Sequence, residues 1–151
     1  MASSSPSPSL TPGGLVFRLV ALPINLNVGV VEGTSEAAMQ AGAGHLPGSP
    51  LPGQAGNVVV IGHVRFFGRP FQRLGDAKPG EVMTVRLLHG SSFRYRVVPG
   101  FQGHGNPWTE TTLAPAVVGQ SGSLAHGRWL TLVTDPHERS RLTVLRLTLI
   151  G

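Results

Sequence analysis

The sequence predicts an all-β protein, a barrel or sandwich of short strands, on three observations. Runs of β-forming residues recur along the chain, each closed by Gly or Pro, and 21 glycines and 13 prolines in 151 residues supply that punctuation. Several runs alternate apolar and polar residues with period two, the pattern of a half-buried strand. Helix signals are confined to two single turns, and no strand–helix–strand rhythm of a parallel α/β sheet is present.

Met1 to Gly14 is rich in Ser, Pro and Gly and reads as a flexible lead-in to a domain over residues 15–151. It has neither the basic start nor the apolar centre of a signal peptide. The predicted strands are Leu15–Val20, Ile24–Val31, Asn57–Gly62, Val82–Leu88, Ser92–Val98, Pro115–Val118, Trp129–Thr134 and Leu142–Ile150. In the fourth, Val82, Thr84, Arg86 and Leu88 share one face, and Met83, Val85 and Leu87 the other. In the last, Leu142, Val144, Arg146 and Thr148 oppose Thr143, Leu145, Leu147 and Leu149. Val58 to Ile61 is apolar throughout, as expected of a strand covered on both faces. Thr34 or Ser35 can cap a turn over Glu36–Gln40 that Gly42 stops, and Arg69–Leu74 can form another turn.

With 40% hydrophobic and 13% charged residues, the chain has the composition of one globular domain with a core. It contains no cysteine. That excludes a disulfide scaffold, a cysteine-ligated metal and a thiol nucleophile. The apolar stretch Leu15 to Val31 is broken by Arg18, Pro23, Asn25 and Asn27, whereas a membrane-spanning helix needs roughly 18–20 nearly uncharged residues. No membrane span is expected in this chain. The formal charge of +5 comes almost wholly from arginine, Lys78 being the single lysine. Such a balance admits an anionic partner. The arginines are nevertheless dispersed, with no basic run, so a solvated basic surface is expected and nucleic acid is not.

Six histidines stand at 45, 63, 89, 104, 126 and 137 without a metal-ligand spacing, so neither a metal nor a cofactor is expected. Most lie beside Gly or Pro and read as solvent-exposed loop residues. His63 differs, because it directly follows Val58-Val-Val-Ile-Gly62. A fixed scaffold can present an acid or base where a buried strand ends, and Gly62 leaves room for another backbone or a ligand. The plainer reading is a hydrogen-bonded histidine at a strand end. Further on, the run Trp129–Thr134 stops at Asp135-Pro136, and after a short loop the last run opens near Arg141. Adjacent antiparallel strands would bring Asp135 and Arg141 together. The plainer reading there is an Asp–Pro turn and a solvent-facing arginine.

From about residue 16 to 151 the chain resembles the sortases, the bacterial family that attaches proteins to the cell wall. The stretches that carry the resemblance are collinear. They are Arg18-Leu-Val-Ala-Leu-Pro23-Ile24, Val30-Val-Glu-Gly33, Gly44-His45-Leu-Pro47-Gly48, Leu51-Pro-Gly53 and Gly56-Asn57-Val-Val-Val-Ile-Gly62-His63. Phe67-Gly-Arg-Pro70, Lys78-Pro-Gly80-Glu81, Tyr95-Arg-Val-Val98 and Leu130-Thr-Leu-Val-Thr134 follow. The resemblance implies an eight-stranded β-barrel with one or two short helices. It implies a site of His, Cys and Arg, and a partner that is a peptide or protein with a sorting-type motif. It also implies an extracytoplasmic or cell-surface location. His63 takes the position of the family's histidine and Arg141 that of its arginine, with Arg139 a second candidate. The position of the family's cysteine is held by Asp135, and the loop from there to the arginine is several residues shorter than usual.

In the family a thiolate attacks a threonyl carbonyl and the thioester is released to an amine, with His as acid/base and Arg steadying the oxyanion. A carboxylate is a poor nucleophile toward an amide, and its acyl product would be an anhydride, uphill from the peptide bond. Beside His63 and Arg141 the carboxylate is expected to stay ionised and to form an ion cluster. Such a cluster is worth about 1–3 kcal/mol if partly buried, with desolvation offsetting much of the Coulomb gain. The expectation is therefore a sortase scaffold that has lost transpeptidation and keeps peptide binding. Two alternatives stand beside it: a hydrolase in which Asp135 or His63 activates water, and a purely structural β-domain.

Overall fold

A computed structural model describes residues 11, 13–40, 42–62, 71–99, 119–120, 122–134 and 144–151. Its strands are β1 (Leu15–Ala21), β2 (Leu26–Glu32), β3 (Ala43–His45), β4 (Gly56–Gly62), β5 (Val82–Leu87), β6 (Ser92–Val97), β7 (Arg128–Thr134) and β8 (Val144–Leu149). They close into a barrel in the order β1-β2-β3-β4-β7-β8-β6-β5. Neighbours are antiparallel except β2 with β3 and β4 with β7. Two four-residue helices accompany the barrel, α1 (Glu36–Met39) and α2 (Ser123–His126). The all-β barrel expected from the sequence is the fold observed.

Period-two alternation fills the interior. Phe17 and Leu19 of β1, Val58 and Val60 of β4, Met83 and Val85 of β5, Tyr95 and Val97 of β6, Leu130 and Leu132 of β7, and Leu145 and Leu147 of β8 form one core. Closing the barrel leaves no free sheet edge among these strands. A second, smaller apolar cluster lies on the opposite face of β4, β7 and β8, where Val59, Ile61, Val133 and Val144 pack with Met39. β4 is consequently buried at every position, as its apolar run predicts.

The second predicted strand begins later than expected. Pro23 sits in a 3-10 turn over Leu22–Ile24, and Asn25 adopts the left-handed region (φ 53). An asparagine tolerates that conformation where a branched residue does not, and the strand starts only at Leu26. β3 was not predicted, since Ala43-Gly44-His45 has too few residues for a periodic signal. It forms because small side chains let it slide between β2 and β4; a Cβ on Gly44 would run into the carbonyl oxygen of Gly33. α2 was also not predicted. Ser35 does cap α1, its Oγ accepting from the Ala38 amide at 3.2 Å. The predicted strand Pro115–Val118, Leu142 and Thr143 of the last strand, and Arg69 and Pro70 of the second turn lie outside the described residues. The described remainder, residues 71–73, forms a turn that leads into a 3-10 turn over Leu74–Asp76.

Tyr95, the sole tyrosine of the sequence, is fully buried in the barrel, and its hydroxyl oxygen accepts from the Gly53 amide at 2.8 Å. Burial pushes its phenol above the ordinary 10.0, partly opposed by the Gly53 hydrogen bond and the Arg128 charge. A phenol raised in the folded state keeps its full contribution below pH 10.0 and loses it as pH rises through the folded value. Ultraviolet phenolate titration, which reads this one residue, is expected to give a higher midpoint for native than for denaturant-unfolded protein. Tyr95→Phe is expected to lose about 1 kcal/mol at neutral pH and to flatten the alkaline fall in stability.

Candidate functional site

The parallel ladder of β4 and β7 runs in unbroken register from Gly56↔Arg128 to Gly62↔Thr134. Both strands therefore end on the same rung, at one end of the barrel. β8 enters at that end too, with Val144 paired to Val133. Gly62 and Thr134 are the chain neighbours of His63 and Asp135, and Val144 lies three residues after Arg141. His63, Asp135, Arg141 and the alternative Arg139 themselves lie outside the described residues. Among the described residues, the close approach at Gly62 is made by the Phe71 ring. A Cβ there would come within 2.7 Å of the Phe71 ring, so glycine is needed for the core aromatic to seal the barrel under the strand end.

Below the strand ends, the outer face of β4 and β7 is apolar first and polar further down. Val59, Ile61, Val133 and Val144 form a floor, with Met39 and Leu46 packed against it. Next come Asn57, Thr131 and Arg146, all buried. The Thr131 hydroxyl donates to Asn57 Oδ1 at 2.5 Å, and Arg146 Nε donates to Thr131 Oγ1 at 3.0 Å. Desolvation lowers the Arg146 pKa from its ordinary value. Gln120 acts as an extra rung beside β4: its amide nitrogen donates to the Asn57 carbonyl at 2.7 Å, and its amide oxygen accepts from the Asn57 N–H at 2.8 Å. These contacts fix where β4 begins, and unbroken pairing then fixes where it ends.

A second polar group is one that the sequence reading missed. His45, expected as an exposed loop residue, is fully buried at the end of β3. It lies in register between Glu32 of β2 and Val60 of β4. His45 Nδ1 is 2.6 Å from Glu32 Oε1, and His45 Nε2 is 2.9 Å from the Pro50 carbonyl and 3.0 Å from Ser49 Oγ. The Pro50 carbonyl can only accept, so Nε2 carries a hydrogen. The Ser49 hydroxyl donates to the Leu46 carbonyl at 2.7 Å, so its oxygen is an acceptor toward the imidazole. One further proton lies between Nδ1 and the carboxylate, and the pair is neutral overall whichever atom holds it.

The order Ser49–His45–Glu32 has the connectivity of a nucleophile, base and acid. Its proton pattern forbids that use, because an Nε2 already bearing hydrogen cannot accept the serine proton. What the arrangement does is bind the 46–50 loop to β4, helped by the Leu46 amide donating to the Val59 carbonyl at 2.9 Å. A sequence signal existed in the alternation Val30-Val31-Glu32, a carboxylate closing a β run, but its partner is 13 residues away. His89 and His126 are exposed as expected. Among the described residues, no group of three or more His, Cys, Asp or Glu could hold a metal ion. No described helix is long and apolar enough to cross a membrane.

A closed eight-stranded barrel with two parallel strands ending together over an apolar floor is a scaffold built to present side chains at one rim. Residues 22–144 match the sortase domain family model, and the chain belongs to the sortase family. A curated relative, Sortase D of Bacillus subtilis (strain 168), is 32% identical over 75 residues, half of this chain and 36% of that protein's length. Sortase E from Streptomyces avermitilis superposes with a TM-score of 0.74 at 26% identity, covering 93% of this chain and 91% of that one. A Clostridium perfringens Sortase D5 transpeptidase superposes at 0.77 with 19% identity, covering 95% and 83%, and shares the fold.

Removing one partner of a buried charged pair leaves the other desolvated, at about 3–5 kcal/mol. His45→Ala is therefore expected to lower unfolding stability by about 3 kcal/mol, and Ser49→Ala by about 1 kcal/mol. Urea unfolding of the two variants against the parent chain checks both values. Equal small losses would show that the imidazole–carboxylate pair contributes little.

Proposed function

We propose that this protein is a sortase-family barrel that binds a sorting-type peptide segment without forming a covalent intermediate. One observation carries the proposal. The in-register ends of β4 and β7 lead directly into His63 and Asp135, in a chain that contains no cysteine. One peptide link joins His63 to Gly62 and one joins Asp135 to Thr134. In this reading His63 and Arg141 (or Arg139) keep the family roles of acid/base and oxyanion partner in position only, and Asp135 stands where the thiol belongs.

The chemical argument against turnover is independent of conformation. Attack by a carboxylate on an amide would give an anhydride, which is uphill from the peptide bond. The argument for retained binding is the family scaffold itself, in which β4 and β7 end on one rung; Val59, Ile61, Val133 and Val144 below those ends are buried under Met39 and Leu46 and give the rim a fixed base. Sortase E1 from Streptomyces coelicolor, similar in fold with a TM-score of 0.74 at 22% identity, holds a tripeptide in its active site. The reading places this protein at the bacterial cell surface as an accessory binder for cell-wall-directed proteins.

Purified protein is expected neither to cleave nor to transfer sorting-type peptides, and to be indifferent to thiol reagents. Calorimetric titration with such peptides is expected to show binding, and no heat above dilution would overturn the binding reading. Asp135→Cys is expected to bring slow cleavage that thiol reagents abolish, because it restores the attacking atom beside His63. Turnover by the unmodified chain would sink the proposal and favour water activation by Asp135 or His63.

A further inference from the structure

The barrel gathers arginines that are far apart in sequence onto one sheet face. Arg18 of β1 is directly paired with Arg86 of β5, and Arg94 and Arg96 of β6 lie one strand further on, opposite Thr84 and Val82. All four are exposed. The other outward positions of these strands include Val20, Val82, Thr84 and Ser92, so no acidic side chain stands among them; a Gly151 oxygen accepts from the Arg94 amide at 2.8 Å, beside one of the four guanidinium groups. Arg18 donates to the neutral Asn27 side chain at 2.7 Å. Glu81, just before β5, has its carboxylate engaged by the Lys78 amide, which donates to it at 2.6 Å. Like charges directly opposite in an antiparallel pair oppose folding, and the Asn27 hydrogen bond to Arg18 does not neutralise either guanidinium.

The same face has an apolar fringe at one end. Leu15 is 47% exposed and Leu88 is 63% exposed. Leu15 lies over Gly29 beside the Arg18 guanidinium, and Leu88 follows Arg86 by two residues where β5 ends. Guanidinium groups bordered by exposed leucines match a lipid interface, where phosphates meet acyl chains. A single-stranded nucleic acid would look for aromatic platforms, and no outward position of these strands is aromatic. We propose that the outer face of β1, β5 and β6 docks on an anionic lipid bilayer through Arg18, Arg86, Arg94 and Arg96, with Leu15 and Leu88 entering the headgroup boundary. This surface is separate from the rim at the ends of β4 and β7, and the proposal stands whether or not that rim binds peptide.

The test is co-sedimentation of the full chain with phosphatidylcholine vesicles, with and without phosphatidylglycerol, at low and high salt. Binding is expected only with phosphatidylglycerol and should weaken with salt. Each guanidinium near an anionic surface is worth about fivefold in partitioning, so R86S/R94S is expected to bind about 25-fold more weakly. L88S should weaken binding several-fold, about as expected for withdrawing an inserted side chain. R73S removes an exposed arginine paired with Asp76 elsewhere on the molecule and should change binding less than about twofold. Unaltered circular dichroism and thermal midpoints would show that each variant is folded. Equal binding to both vesicle types, or equal loss in R73S and R86S/R94S, would overturn the proposal. Tight binding to duplex DNA with L88S indifferent would overturn it in favour of nucleic acid.

Discussion

The parallel pairing of β4 with β7 is the constraint on which the rest of this protein depends. Two segments some seventy residues apart are held in register over seven residues, and both faces of β4 are buried. A slip of one residue would exchange the barrel core of Val58 and Val60 for the outer row of Asn57, Val59 and Ile61. It would also drive the Asn57 side chain into hydrocarbon. Register is thus fixed by polarity as much as by shape. The Gln120 amide and the Gly56 amide, which donates to the Gly127 carbonyl at 2.8 Å, fix the start of the strand. Because the register cannot slip, the ends at Gly62 and Thr134 coincide, and whatever follows them in the chain is delivered to one rim.

Two buried polar groups stand on either side of this ladder. Glu32, His45 and Ser49 tie β2 and β3 to the loop before β4, while Asn57, Thr131 and Arg146 tie β4 to β7 and β8. Buried polar groups of this kind are expensive when half satisfied and specifying when complete. Each exacts a penalty from any arrangement in which the strands pair differently. The Ser–His–Glu order shows why a chemical reading needs protons as well as distances. The spacing suits proton transfer, but the Pro50 carbonyl on Nε2 already commits the hydrogen that a base must lack.

The family's chemistry and its scaffold make separate demands on a sequence. The barrel, the strand register and the apolar floor need only hydrophobic pattern and small residues at close approaches such as Gly44 and Gly62. The reaction needs one sulfur atom. This chain contains no cysteine, and the ladder completes its last rung, Gly62 with Thr134, without one. The pattern that folds the barrel is therefore independent of the residue that carries the family's sulfur.

Much of this was legible in the sequence because it is local. Period-two alternation gave the barrel strands, the apolar run Val58–Ile61 gave a strand buried on both sides, and the lack of cysteine removed thiol chemistry without reference to shape. What was not legible depends on partners distant in the chain. β3 has three residues and no periodicity, and it exists only because β2 and β4 flank it. His45 sits between Gly44 and Leu46 like an ordinary loop histidine, and only the pairing of β2 with β3 buries it against Glu32. The arginines at 18, 86, 94 and 96 read as dispersed, yet β1, β5 and β6 gather them on one face. Alternation fixes which side of a strand a residue takes; only the order in which strands close the barrel decides what it meets there.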